Sequence, residues 1–280
     1  MGERIWLADL ESKRPVEITT LFQAGSISKP VAAVAAMKLV EEGKLALDQN
    51  INTFLTTWKV PDNEFTKDKK VTLREILSHS AGVTVHGFPG YAAGDPIPTL
   101  VQVLDGVKPA NTPPIRVDVV PGSIWRYSGG GYTIMQLAMT DVTHEPFPEI
   151  MRNTVLIKAG MRDSTYENPL PSRLSGVAAT GYGSDGAPVA RRYHTYPEMA
   201  AAGLWTTASD LARFGIEIQK SREGRSNRIL KQGTVQEMLT EQKSPGVSAF
   251  SLLLIGFHMA EPMKDFRLPL AVRSTAKDWS

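Results

Sequence analysis

Cysteine is missing from all 280 residues, which excludes disulfides, thiol nucleophiles and cysteine-held zinc while leaving the compartment open. Histidine is scarce. The five at 79, 86, 144, 194 and 258 form no H-x-x-x-H pair, and the carboxylates lack a calcium-loop pattern, so no metal site is expected. No charge of one sign dominates. With 31 basic and 29 acidic residues the net charge is +2, and the basic pairs Lys69-Lys70 and Arg191-Arg192 are short, which argues against nucleic acid as a partner. The longest apolar runs, around 31–37 and 249–260, are too short to span a bilayer. No secretory signal opens the chain. It therefore reads as soluble, cytoplasmic as it stands, and periplasmic or secreted if a leader has been lost. The G-x-S-x-G elbow of α/β-hydrolases is absent as well.

What is present is 42% hydrophobic residues, enough for one large domain or two lobes. Residues 4–10 read as a short strand. A helix follows from Ser26 to a stop at Gly43. Thr72-Leu73-Arg74-Glu75 is a capping box opening a helix whose apolar face is Leu73, Ile76 and Leu77. Residues 83–125, rich in Pro and Gly, form a connection long enough to be functional or partly structured. Helices are expected over about Tyr132 to Thr143, from Pro148 to Lys158 with Gly160 as stop, from Thr207 onward, and over 232–241. Residues 163–200 read as irregular, and Phe250 to Met259 as a buried strand.

The stretch Gly25-Ser26-Ile27-Ser28-Lys29-Pro30 carries the chemistry. Ser26 and Lys29 stand three apart at a helix start, so they share a face one turn apart. The positive end of the helix dipole and burial both disfavour a charged Lys29. A neutral amine beside a hydroxyl is a general base beside a nucleophile. Taken alone, the motif has a simpler explanation: Ser26 caps the helix. A second match, Ser274 to Lys277, has too little chain after it to open a helix. The run Val31 to Val40 after Lys29 is apolar almost all round, as in a buried central helix.

Gly181-Tyr182-Gly183-Ser184-Asp185-Gly186 matches a dinucleotide fingerprint, but Pro188 and Arg191-Arg192 follow where a helix should open, so a glycine-rich turn is expected. Tyr127 sits in the glycine-flanked segment Pro121 to Gly131, where backbone can turn sharply; beside Ser26 and Lys29 it could complete a Ser-Lys-Tyr site.

Four ordered segments together resemble the serine β-lactamase/penicillin-binding-protein superfamily, on its class C side, which includes the family VIII carboxylesterases. They are Leu21 to Lys29, Val71 to Gly82, Pro121-Gly122 through Tyr127-Ser128-Gly129, and Ala202 to Ala212, and the resemblance covers roughly residues 6–267. It implies an α/β chain of the α+β type: an antiparallel sheet flanked by helices (1–70 and 201–267), a mostly helical lobe (71–200), and an unmatched tail at 268–280. It also implies a cleft between the lobes in which Ser26 is acylated, Lys29 is its base partner, Tyr127 shares proton transfer, and the Ser26 N–H is one oxyanion donor. No metal or organic cofactor is required, and the partner is a small ester, β-lactam or amide. Tyr91 and Trp125 are lining candidates in the 83–125 segment, with Gly129 at the substrate.

Three departures shape the expectation. Class C β-lactamases carry Tyr-x-Asn where this chain has Tyr127-Ser128-Gly129, so no side-chain amide is available there for a β-lactam's acylamino group. That favours ester cleavage, with β-lactam hydrolysis as a side activity. The third motif of the family is not found in Leu268 to Ser280. Only 25 residues precede Ser26, so the chain is expected to be truncated at both ends relative to the family. The alternatives are a class C-type β-lactamase or D-amino-peptidase, or a truncated non-catalytic ligand binder.

Overall fold

The computed structural model describes residues 6–244 and 247–251. A single helix organises it. Helix α1, Ser28–Glu41, is buried from Ser28 through Met37, and its alanines and valines form the middle of the main core. Small side chains let neighbouring helices approach from every side, which is why the stretch shows no polar face. Gly43 ends it with a positive φ of 70°, a conformation open to glycine without a Cβ penalty.

The strands are short and pair antiparallel. β1 (Leu7–Asp9) pairs with β2 (Arg14–Pro15). β3 (Phe22–Gln23) pairs with β6 (Trp205–Thr206) in the register Phe22↔Thr206, Gln23↔Trp205. β4 (Tyr91–Ala92) pairs with β5 (His194–Thr195), and β7 (Glu241–Ser244) with β8 (Val247–Ser251). The β3–β6 pair matters most, because it brings the chain just before Ser26 against the chain just after residue 203.

The helices follow their caps. α2 (Leu73–Leu77) opens with the reciprocal Thr72/Glu75 capping box. α3 (Leu100–Asp105) lies inside the long 83–125 connection, with its own capping box from Thr99 and Gln102. α4 (Gly129–Thr143) starts three residues earlier than its apolar pattern suggests, because Ser128 accepts the Gly131 N–H and caps it. The helix expected over 148–158 is α5 (Phe147–Met151), a π turn at Arg152–Leu156 and α6 (Ile157–Ala159), closed by Gly160. Two one-turn helices, α7 (Ser172–Ser175) and α8 (Met199–Ala202), and the short β5 interrupt the otherwise irregular 163–200 region. α9 (Ala208–Arg222) is capped by Thr207, and α10 (Gln232–Leu239) completes the order. Tyr182 bridges Pro188 across the glycine-rich 181–186 stretch, which folds as a turn. The strand expected over 250–259, the second S-x-x-K and the 268–280 tail lie outside the described residues, apart from Phe250 and Ser251 at the end of β8.

Among the described residues no helix is long and apolar enough to cross a membrane.

Candidate active site

Ser26 sits in a 3-10 turn, Gly25–Ile27, that leads directly into α1. Gly25 has a φ of 52°, the left-handed bend that carries the chain from β3 into the turn. No side chain caps this end, so Ser26 is not spent as a helix cap. Ser28 pins the turn instead. Its Oγ donates to Gly25 O at 2.6 Å and accepts the Leu204 N–H at 2.9 Å, while the Tyr166 hydroxyl donates to its carbonyl at 2.7 Å. The result is an exposed serine on a fixed backbone.

Lys29, 3% exposed, turns back along the helix so that Nζ lies 3.1 Å from Ser26 Oγ. Nζ also donates to the Ala201 carbonyl at 2.9 Å. Burial pushes the Lys29 amine down to about 7. A neutral amine has one lone pair. With an N–H committed to Ala201, that lone pair can face the Ser26 hydroxyl.

Tyr127 is 7% exposed and shares a side-chain hydrogen bond with Ser26. Burial pushes its phenol up, and the bond to Ser26 pulls it partly back. Lys29 Nζ lies 4.8 Å from the centre of its ring. The chain thus brings Ser26, Lys29 and Tyr127 together from the α1 turn and the segment ahead of α4.

The other site candidates lie as follows. Gly129 begins α4, and its N–H donates to His86 O at 3.0 Å. A Cβ there would stand 2.9 Å from the Phe88 ring and 3.1 Å from His86 O, so the space beside it is already filled. Tyr91 is buried in β4 and its hydroxyl accepts the Asn111 N–H at 3.1 Å, a contact that fastens the connection to itself. Trp125 is half-buried, with its ring edge-on to His79 at 6.3 Å between centres.

Sequence reasoning missed three contributors. Gln136 on α4 donates from Nε2 to Pro197 O at 3.0 Å and accepts the Ala200 N–H at 2.8 Å, fastening the strip that presents Ala201. Glu198, fully buried, has no hydrogen-bond partner from another residue on either carboxylate oxygen, and burial pushes it up to about 7. His79, 3% exposed, stacks on Tyr127 with ring centres 4.4 Å apart. An accessible signal for His79 was its place at the end of α2, inside one of the four segments already singled out.

The frame of α1, its surrounding helices and the antiparallel pairs is the fold of the serine β-lactamases and penicillin-binding proteins. A penicillin-binding protein from Bacillus halodurans superposes with a TM-score of 0.65 at 23% identity, covering 88% of this chain and 70% of that one. EstCE1, described as a hydrolase with promiscuous acyltransferase activity, gives 0.66 at 23% identity, covering 84% and 67%. The chain belongs to the beta-lactamase family, whose model matches residues 2–259. Among curated relatives, the putative penicillin-binding protein PbpX of Bacillus subtilis strain 168 is 26% identical over 251 residues, 86% of this chain and 54% of its own length. Esterase EstB of Burkholderia gladioli is 26% identical over 181 residues, 60% of this chain and 44% of its own length. The chain spans about half the length of these curated relatives.

Proposed function

We propose that this chain carries the nucleophile and bases of a serine hydrolase that cleaves carboxylic esters through an acyl-enzyme. The observation that carries the reading is the buried Lys29 amine 3.1 Å from the exposed Ser26 hydroxyl. Above pH 7 most of the Lys29 amine is neutral and can take the Ser26 proton as Oγ attacks the ester carbonyl. The new O–C bond gives a tetrahedral oxyanion, which the Ser26 N–H can meet as one donor. The carbon–alkoxide bond then breaks, and the Tyr127 phenol protonates the leaving oxygen while the Lys29 ammonium restores the phenol. Water releases the acyl group by the same route in reverse. Burial keeps Tyr127 protonated at neutral pH, which supports Lys29 as base and Tyr127 as proton relay.

An ester is favoured over a β-lactam by the filled space at Gly129, where Phe88 and the His86 carbonyl leave no room for an amide-bearing side chain. The relatives include an esterase, β-lactamases and penicillin-binding proteins, which supports acyl transfer as the common chemistry.

The test is a short-chain p-nitrophenyl ester and a chromogenic cephalosporin, each with wild type and Ser26→Ala. Intact mass should show an acyl adduct that Ser26→Ala lacks, with faster turnover of the ester. Equal hydrolysis by both proteins would reject Ser26 as nucleophile. A stable adduct without turnover would indicate a binder or an enzyme that acylates but cannot deacylate.

A further inference from the structure

We infer that His79 is the positioning residue for Tyr127, gripping the backbone on both sides of it and supporting its ring from below. The inference rests on the reading of Tyr127 as proton relay.

Three contacts converge. The His79 carbonyl accepts the Arg126 N–H at 2.8 Å. Its imidazole Nδ1 accepts the Ser128 N–H at 3.1 Å. Its ring lies 4.4 Å from the Tyr127 ring, tilted by 30°. Residues 126 and 128 are therefore both held by residue 79, with the phenol between them resting on the imidazole. His79 is buried, so no solvent replaces a lost bond, and an N–H left unpaired would pull the segment out of register.

The backbone supports this assignment. His79 has a φ of 58°, in the left-handed region that a non-glycine residue seldom adopts. A glycine would adopt it freely but would supply neither the ring nor Nδ1. The bend turns the chain at the end of α2 so that carbonyl and imidazole both face the 126–128 segment.

The protonation state is set by the same geometry. Nδ1 can accept only if the proton is on Nε2. The groups facing the imidazole are Lys29 from α1, Tyr132 from α4, and His86, Trp125 and Tyr127 from the segments around it. Burial, then Lys29, then His86, hold the ring well below its ordinary range, so it stays neutral. A protonated ring would oppose the Ser128 N–H and lose its grip.

The test is a double-mutant cycle on the full chain, read as the maximal rate of Ser26 acylation by a p-nitrophenyl ester, followed by intact mass. His79→Phe keeps an aromatic face and removes the acceptor. We expect it to lower the maximal rate ~10- to 100-fold with half-saturation nearly unchanged, and to add no loss in a Tyr127→Phe background. His79→Asn should recover most of the rate, because asparagine tolerates left-handed backbone and offers an acceptor oxygen near the position of Nδ1. Equal losses in both backgrounds would overturn the inference, as would a folded His79→Asn no faster than His79→Phe. A Tyr127→Phe protein with wild-type rate would instead reject the relay reading. A further measurement needs neither variant nor turnover: the 15N shifts of the His79 ring should report a neutral Nε2–H tautomer from about pH 6 to 8. A ring that titrates normally there overturns the grip on Ser128.

Discussion

Lys29 Nζ and the Ala201 carbonyl oxygen stand 2.9 Å apart, 172 residues apart in sequence, inside a region closed to solvent. In the proposed mechanism Ala201 stabilises the ammonium form once the Ser26 proton has arrived, and it holds an N–H of the neutral amine away from Ser26 beforehand. The lysine therefore has little freedom to act anywhere but on its neighbour one turn back.

The pH profile follows from that burial. Lys29 is a base only when neutral, and burial brings it down to about 7. Acylation measured as kcat/KM should therefore fall as pH drops through about 7 and level off above it. Lys29→Arg, charged at every accessible pH, should lose ~100- to 10,000-fold in kcat/KM with no recovery on raising the pH. A profile flat from pH 5 to 9 in wild type would remove Lys29 from the base role.

Gln136 should matter for both stability and this profile. Its amide satisfies Pro197 O and the Ala200 N–H at 3.0 and 2.8 Å. Gln136→Leu leaves both groups without that partner, at roughly 1–3 kcal/mol for each one that stays buried. Loosening this strip also loosens Ala201, so the acid limb of kcat/KM should move away from its wild-type position. Denaturant unfolding together with the pH profile separates the outcomes: lost stability with an unmoved limb would mean that Gln136 only braces the fold.

Much of this was legible wherever the determining contacts are local. The Thr72/Glu75 and Thr207/Asp210 caps span three residues, and the Ser26–Lys29 contact is one helical turn, so spacing alone predicts them. The start of α4 at Gly129 is hidden in the sequence because three glycines are poor helix formers. Two of the three sit where the backbone packs tightly: a Cβ would stand 2.9 Å from the Phe88 ring at Gly129 and 2.6 Å from Thr84 O at Gly130. The grip of His79 on Ser128 spans 49 residues, and no periodicity links them. Glu198 was illegible for a different reason. A glutamate in an irregular stretch reads as solvated, and only tertiary packing buries it.

Glu198 should leave a signature in stability. Unfolded, its carboxyl titrates near 4.5; in the fold, burial pushes it up to about 7. Between those values the fold keeps a proton that the unfolded chain has lost, so stability falls as pH rises from about 4.5 to about 7. Lys29 acts in the next window. From about 7 to 10.5 the fold has lost a proton that the unfolded chain keeps, so its contribution rises with pH. Glu198→Gln removes the first slope only, and should be more stable than wild type above pH 7 by about 3 kcal/mol at most, converging with it near pH 4. Parallel stability curves for the two proteins over this range would show that the carboxyl is ionised in the fold.

The filled space beside Gly129 gives a prediction about selectivity. A Cβ at 129 would stand 2.9 Å from Phe88 and 3.1 Å from His86 O, closer than packed atoms tolerate. Gly129→Asn should therefore destabilise by about 1–3 kcal/mol, because the Phe88 ring must move. Phe88→Ala alone should also destabilise, through the cavity it leaves. Together the two changes are complementary in volume, so the double variant should be more stable than the sum of the single losses implies. Only the double variant then carries an amide beside Tyr127 with room to turn toward a substrate. If lack of that amide is what favours esters, its ratio of cephalosporin to ester turnover should rise relative to wild type and to both single variants. A coupled gain in stability with an unchanged ratio would mean that Phe88 merely fills space and that selectivity is set elsewhere in the cleft.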